Sequence, residues 1–193
     1  MTSNITTVEQ LRALYGKPKP TSLQKQTHEL NPTYQQWLEQ SSFFVLASVG
    51  EDGIDCTPRG DEPGTAFKVI DNNTILIPDR RGNNRLDSLS NIVRDPRVAL
   101  LFFIPRVDQS LRIIGQATIT VDKFLLSYFT LDNTSPVSCI SVSIEAVYFQ
   151  NARAMSRSKL WHSTNAGAPT VPTPGEMIQS VNPDFDPDSY DAG

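Results

Sequence analysis

The spacing of apolar residues changes from a helical period to an extended one near residue 42. Before that point, Val8, Leu11 and Leu14 recur on one face of a predicted helix, which Thr6 or Thr7 can cap. Asn31 as a cap and Pro32 at the first helical position begin a second predicted helix. The sequence therefore predicts a helical amino-terminal extension over residues 1–41.

Beyond residue 42, short apolar or alternating segments predict β-strands. The clearest alternation lies in 138–149, where Ile140, Val142 and Ile144 are separated by Ser141 and Ser143. Helices are expected at 121–129 and at 84–95, where Leu86, Leu89 and Val93 recur at helical spacing. The pattern predicts a mainly β protein with flanking helices, in which about six strands form a small antiparallel Greek-key barrel over residues 42–161. The strand segments are 43–48, 54–58, 66–70, 74–78, 97–104, 111–121 and 138–149.

The carboxyl-terminal segment differs in composition from the rest of the chain. Residues 162–193 are rich in Pro, Gly, Asn and Asp, a composition that disfavours a packed core. We expect this tail to be extended or partly mobile. Residues 1–193 are otherwise expected to form a single domain, because a chain of this length can bury a sizeable core without disulfides or metals.

Composition and charge exclude several classes of function. The formal net charge of −4 argues against a surface built to bind nucleic acid. Cys56, Cys139, His28 and His162 show neither metal-ligand nor redox spacing. The longest apolar run, 98–104, is too short to span a bilayer, and no secretion signal is evident. We expect a cytoplasmic protein with no metal, membrane or nucleic-acid partner.

The candidate chemistry is concentrated in 77–89, IPDRRGNNRLDSL, where a strand gives way to a helix. Asn84 is the expected helix cap, and Arg80, Arg81 and Arg85 place three positive charges near the helix start. A helix amino terminus has unpaired backbone N–H groups and a positive dipole end, which suit a phosphate. The segment is therefore a candidate anion site.

Two interpretations of this segment remain open from the residues alone. The arginines could instead form a solvated turn, paired with Asp79, Asp87 and Asp95. A second segment, TPRGDEPG at 57–64, places Arg59 just after a strand, where it could reach the same anion. By itself this second segment is also compatible with a simple turn.

Several segments together resemble the pyridoxamine 5′-phosphate oxidase-like FMN-binding proteins, and more closely their uncharacterised flavin-nucleotide-binding branch. The resemblance covers roughly residues 30 to 180, and DRRGNNR and DPRV are its most specific parts. The segments that carry it are TPRGDEPG, ILIPDRRGNNRLDSLSNIVRDPRVALLFFIP, LRIIGQA, SIEAVYFQNARAMSRSKLW and PTPGEM.

The resemblance implies a six-stranded split barrel that forms a homodimer through a sheet face, with two FMN molecules at the subunit interface. By this resemblance, Arg59, Gly60 and Asp61 would lie beside the flavin. Ser110 and Trp161 correspond less closely to cofactor-binding positions of the family, and Trp161 would come from the other subunit. The residues implied around the phosphate are Pro78, Asp79, Arg80, Arg81, Asn83, Asn84 and Arg85.

The chain also departs from the oxidase pattern. Asn83, Asn84 and Arg85 stand where the oxidase has a Ser-Arg-Lys run, and the tail is acidic rather than basic. The resemblance therefore implies an FMN-dependent oxidoreductase with a different, unknown substrate and redox partner, and no catalytic residue is assigned. A flavin store or sensor without turnover is the alternative. A nucleic-acid or protein-interaction module is disfavoured, because no aromatic residues are interleaved with the arginines.

Overall fold

A computed structural model describes residues 4–80, 82, 84–161 and 171–191, without the side chains of Thr21 and Ser189. The chain divides into two compact units, Met1–Trp161 and His162–Gly193. The first unit contains the strands β1 Phe43–Gly50, β2 Gly53–Gly60, β3 Lys68–Asp71, β4 Thr74–Asp79, β5 Arg97–Phe103, β6 Ser110–Thr120 and β7 Ser138–Gln150. Its helices are α1 Val8–Tyr15, α2 Pro20–Gln24, α3 Pro32–Leu38, α4 Asp87–Arg94, α5 Lys123–Ser127 and α6 Arg153–Ser158.

All seven strands belong to one antiparallel sheet in the order β2-β1-β5-β6-β7-β4-β3. The prediction of a mainly antiparallel β protein with flanking helices is confirmed, and the sheet has seven strands rather than about six. Each of the seven predicted strand segments corresponds to one strand. The segment 66–70 corresponds to β3, a strand of four residues that pairs only with β4 at the sheet edge.

The sheet curls around the larger of two hydrophobic clusters. Phe67 precedes the edge strand β3, yet its ring centroid lies 4.9 Å from that of Phe102 in β5 and 5.9 Å from that of Phe44 in β1. These strands lie far from β3 in the order of the sheet, so the two halves must fold toward each other. Buried side chains from β1, β4, β5, β6 and β7 fill the space between them.

A β-bulge bends the two longest strands. The register of β6 and β7 shifts between Ile114 and Gly115, which leaves Glu145 as the additional residue in β7. A Cβ at Gly115 would lie 2.1 Å from the carbonyl oxygen of Ser143. Only glycine allows the two backbones to approach this closely.

The amino-terminal helices confirm the expected caps. Thr7 accepts a hydrogen bond from the Gln10 N–H, and Asn31 accepts one from the Tyr34 N–H. The first helix has no buried residue, and Val8, Leu11 and Leu14 of its apolar face are exposed. The third helix buries Leu38 against the core.

The expectation of an extended tail is wrong for residues 171–191. This part of the second unit contains α7 Pro174–Val181 and α8 Pro187–Asp191. Thr173 and Glu176 form a capping box, and Asp191 accepts a hydrogen bond from the Gly175 N–H at 2.9 Å. These local bonds stabilise helical turns in a segment whose overall composition favours loops. Within the described ranges, no helix has both the length and the apolar character needed to cross a bilayer.

Candidate anion-binding site

A cavity of about 570 Å³ lies where the ends of β2 and β4 meet the beginning of α4. Strand β2 contributes Thr57, Pro58 and Arg59, and Val137 precedes β7. The remaining lining residues are Asp79, Arg80, Gly82, Asn84, Arg85, Leu86, Asp87, Ser88 and Leu89. The structure thus brings together the two segments that the sequence analysis selected independently, 57–64 and 77–89.

The beginning of α4 differs from the prediction. The helix begins at Asp87 rather than near Asn84, and its N-cap position is Leu86, with φ 58° and ψ 21°. Asn84 is also left-handed, with φ 59°, a conformation that asparagine tolerates and leucine rarely adopts. No described side chain caps the helix. Its first-turn N–H groups therefore lack a side-chain acceptor where they border the cavity.

The face of α4 that packs on the sheet is more polar than the sequence suggested. The predicted stripe was Leu86, Leu89 and Val93, but Leu86 is exposed and Val93 retains 76% of its accessible area. The buried residues are Ser88, Asn91 and Ile92. Two polar contacts hold this face, from Asn91 to Ser48 Oγ at 3.1 Å and between Ser88 Oγ and Thr57 Oγ1 at 3.4 Å. The Ser88 contact holds the start of the helix against β2, and the Asn91 contact holds its middle against β1.

Each described arginine of the cavity has a carboxylate neighbour. Arg59 Nη1 lies 3.5 Å from Asp79 Oδ1, and Arg85 Nε lies 2.6 Å from Asp87 Oδ2. Arg80 Nε donates to Asp61 Oδ2 at 2.7 Å. Of the pairings considered for the arginines of 77–89, that of Arg85 with Asp87 is present, whereas Asp79 lies beside Arg59 and Arg80 pairs with Asp61. Asp95 instead pairs with Arg97, outside the cavity.

Arg80 and Asp61 are joined by a hydrogen-bonded ion pair. A hydrogen bond from the Glu62 N–H has the largest effect on the Asp61 carboxyl, and together with the smaller effect of Arg80 it lowers the pKa below its usual value, although partial burial opposes this. Arg80 Nη2 is buried and has no hydrogen-bond partner. A buried donor without an acceptor destabilises the folded protein, particularly on a charged group. Nη2 could therefore donate to an anion after a small adjustment of the side chain.

Other predicted site residues lie elsewhere in the protomer or outside the described residues. Gly60 ends β2 opposite Phe43, and Pro78 lies opposite Cys139 in the β4–β7 pairing. Arg81 and Asn83 are outside the described residues. Ser110 begins β6 and is buried, while Trp161 Nε1 donates to the Val107 carbonyl at 2.9 Å. Neither Ser110 nor Trp161 lines the cavity of its own protomer.

Thr57, Ser88 and Leu89 line the cavity and lie inside the two candidate segments but were not predicted as site residues, and Val137 lies outside both segments. Thr57 could have been found from its spacing, because residues two apart in a strand share a face and Arg59 was already a candidate. Ser88, Leu89 and Val137 carry no comparable signal, since their place depends on where α4 starts and how the chain returns to β7.

The arrangement fits the phosphate of a small nucleotide-like ligand. Its volume falls within the range of about 300–1,000 Å³ typical of small-molecule sites. Arginine forks and free helix N–H groups offer donors to phosphate oxygens, and Pro58, Leu89 and Val137 provide apolar walls. No group of described His, Cys, Asp and Glu residues could hold a metal ion.

Comparisons with known proteins agree with this fold. A family model described as pyridoxamine 5′-phosphate oxidase matches residues 30–151. HupZ of Group A Streptococcus is 14% identical, with a TM-score of 0.51 over 72% of this chain and 100% of that chain. A variant of HupZ with one histidine replaced by alanine is 13% identical, with a TM-score of 0.51 over 62% and 98%. General Stress Protein 26 of Bacillus anthracis is 15% identical, with a TM-score of 0.47 over 60% and 88%. No curated protein matches the chain.

Proposed function

Since the chain belongs to the pyridoxamine 5′-phosphate oxidase family, we propose that it is an FMN-binding oxidoreductase that acts on a substrate other than pyridoxamine 5′-phosphate. The observation that carries the proposal is the uncapped start of α4 in a cavity lined by Arg59, Arg80 and Arg85. A phosphate group would supply acceptors to the first-turn N–H groups, which no side chain caps, and to Arg80 Nη2, which has no partner. The family match supports a flavin as the group attached to that phosphate.

The residues of the cavity would divide the binding of FMN between them. The N–H groups of Asp87, Ser88 and Leu89, together with Arg80 and Arg85, would hold the phosphate. Asp61 and Asp79 would orient Arg80 and Arg59 through the ion pairs already present. Apolar walls would exclude water from the ring. When bound, FMN supplies hydride or single-electron transfer, which no side chain of the cavity can perform.

The carboxylates of the cavity do not prevent phosphate binding. The Arg85–Asp87 pair has side chains that are 77% and 48% exposed, and such pairs contribute only about 0–1 kcal/mol. Arg59 and Asp79 are separated by 3.5 Å, without a hydrogen bond between them among the described contacts. A phosphate carries more charge than one carboxylate and accepts several bonds, so it can join or displace these pairs.

We propose further that the protein is a homodimer with FMN at the subunit interface. One face of the sheet packs on the core, and the opposite face presents aligned apolar residues from β1, β5 and β6. Val45 pairs with Leu101, and Ala99 pairs with both Ala47 and Ile114. Interfaces of obligate homodimers are apolar and usually exceed about 2,000 Å². Ser110 pairs with Phe103 of this face but is buried within its own protomer, so its place beside the partner's cofactor stays a prediction.

Light scattering with flavin absorbance tests the dimer. We expect a dimer that loses flavin on dilution to monomers, and Leu101→Asp should shift the equilibrium toward monomers. A monomer that retains stoichiometric flavin would contradict the interface proposal while leaving FMN binding intact.

The substrate proposal rests on the carboxyl-terminal segment. Residues 162–193 contain no lysine or arginine, so they offer no cation to a substrate phosphate. Purified protein should show flavin absorption bands that bleach with a reductant and return with oxygen or a quinone-like acceptor. Turnover of pyridoxamine 5′-phosphate at about 1–10³ per second would overturn the substrate proposal. Flavin that no donor can reduce would favour a storage or sensor protein.

A further inference from the structure

Arg112 places a positive charge in the outward, largely apolar face of the sheet. It lies in β6, opposite Leu101 of β5 on one side and Tyr148 of β7 on the other. Its neighbours in the strand, Leu111 and Ile113, are buried in the core, so the Arg112 side chain lies on the opposite face. The residues proposed above to bind FMN do not include it.

Arg112 is half-buried and has no carboxylate partner. Its Nη1 donates to the Tyr148 hydroxyl at 3.0 Å, and its guanidinium carbon lies 5.5 Å from the centroid of the Tyr148 ring. Within the described part of the chain, no Asp or Glu oxygen lies within 4.0 Å of a nitrogen of this side chain. A cation that a dimer interface removes from water needs an acceptor in the partner, because an unpaired buried charge is strongly destabilising.

The row of residues that contains Arg112 reaches the cavity of the candidate anion site. Cross-strand pairing places four residues side by side on the outward face, Pro58, Val45, Leu101 and Arg112. Pro58 also lines the cavity. Adjacent strands are about 4.8 Å apart, so Arg112 lies about 14 Å along the sheet from Pro58 of its own protomer. An arginine side chain is too short to cross that distance, so Arg112 does not serve the cavity of its own protomer.

Charge limits how this row can face a second copy of itself. A twofold interface brings the same surface of both protomers together. If the axis ran along the row, Arg112 would face the partner's Arg112, and juxtaposed like charges cost several kcal/mol. If the axis runs parallel to the strands and passes between Val45 and Leu101, the row meets its copy in reverse order. Arg112 then faces the end of the partner's row, where Pro58 borders the partner's cavity.

We propose that Arg112 of each protomer contacts the flavin ring held by the other protomer and stabilises the negative charge that the ring carries after it accepts a hydride. This inference rests on the proposed FMN binding and the proposed homodimer, and it adds a residue that acts on the redox chemistry. A hydride from an organic donor brings two electrons and one proton to the neutral ring, which leaves one negative charge on it. In an apolar interface, a guanidinium group stabilises such a charge more strongly than in water. Tyr148 positions Arg112 through the hydrogen bond to Nη1.

The midpoint potential of bound FMN tests the inference. In Arg112→Met, the affinity for reduced FMN should fall about tenfold more than the affinity for oxidised FMN, which lowers the two-electron potential by about 30 mV. Arg112→Lys keeps the charge and should restore at least half of this shift. Arg97→Met is the matched control, because Arg97 lies in the neighbouring strand β5 but already pairs with Asp95, and it should leave the potential unchanged. Light scattering should show that all three variants remain dimers.

The outcomes separate this inference from the proposed function. Flavin-loaded dimers of Arg112→Met with an unchanged potential would overturn the inference alone. Loss of the dimer in both Arg112→Met and Glu145→Gln, with the potential of the remaining dimers unchanged, would also overturn it, because Arg112 would then pair with the exposed Glu145 of the partner. If the unmodified protein binds flavin as a monomer, this inference fails while flavin binding stands, and if it binds no flavin, the proposed function fails as well.

Tyr148→Phe provides a second variant if Arg112→Met does not fold. It keeps the ring beside the guanidinium group but removes the hydroxyl that accepts from Nη1. The relative affinity for reduced FMN should then fall about threefold, which lowers the potential by about 14 mV. An unchanged potential in Tyr148→Phe would count against the inference in the same way.

Discussion

Replacing Arg80 by alanine separates phosphate binding from fold stability. The guanidinium group donates to Asp61 through Nε, and its Nη2 has no partner. If this group binds the phosphate, the variant loses charge-assisted hydrogen bonds of about 1.5–3 kcal/mol, which corresponds to a roughly 10-fold to 150-fold weaker FMN affinity. Riboflavin affinity should stay within about threefold, because riboflavin lacks the phosphate.

The cost to stability should be small. The side chains of Arg80 and Asp61 are 35% and 31% exposed, and an ion pair of this kind contributes at most about 1 kcal/mol. Urea unfolding of Arg80→Ala should therefore differ from that of the unmodified protein by no more than about this amount. A large loss of stability would show that the residue serves mainly the fold.

Arg97→Ala is the matched control, because Arg97 also pairs with an aspartate but lies outside the cavity. It should leave both flavin affinities unchanged. Fluorescence titrations of the three proteins with FMN and riboflavin decide the matter. If Arg80→Ala weakens both flavins equally, or leaves FMN affinity unchanged, Arg80 does not bind the phosphate.

Three further predictions concern pH, reactivity and packing. Because folding lowers the pKa of Asp61, the ionised carboxylate stabilises the protein above its unfolded pKa, and this stabilisation is lost as the pH falls through the lower, folded value. The free energy of unfolding of Asp61→Asn, measured in urea, should therefore fall less between pH 6 and pH 3 than that of the unmodified protein. An unchanged pH dependence would refute this. Burial, aided by Asp79, raises the pKa of the Cys139 thiol to about 11, whereas Cys56 is exposed. A thiol reagent at pH 8 should therefore modify Cys56 rapidly and Cys139 only on unfolding. Rapid labelling of both cysteines would contradict this. Gly115→Ala should destabilise the fold by about 1–3 kcal/mol or more in urea unfolding, since its Cβ would meet the Ser143 carbonyl oxygen, and a neutral effect would exclude the close approach.

Much of the strand pattern could be predicted because alternation is a local property. The segments 138–149 and 111–121 correspond closely to β7 and β6. Caps were also predictable where the side chain bonds within its own turn, as at Thr7 and Asn31. The segment 77–89, part of which lines the cavity, could be selected in advance because its arginines lie at a strand-to-helix change in an otherwise acidic chain.

The start of α4 could not be predicted in the same way. Asn84 has the side chain of a cap, but the helix begins at Asp87 after a left-handed leucine. The polar face of Ser88 and Asn91 packs on Thr57 and Ser48, which are distant in sequence. Tertiary contacts therefore override the local signals, and they rotate the apparent stripe of Leu86 and Val93 outward.

The most direct test of the candidate anion site is the ratio of the dissociation constants of riboflavin and FMN for the unmodified protein. Two well-made phosphate contacts should make this ratio at least about one hundred, because each contributes about 1.5 kcal/mol or more. Arg85→Ala should reduce the ratio by weakening FMN alone. Equal binding of riboflavin and FMN would show that residues 77–89 form a solvated turn rather than a phosphate site.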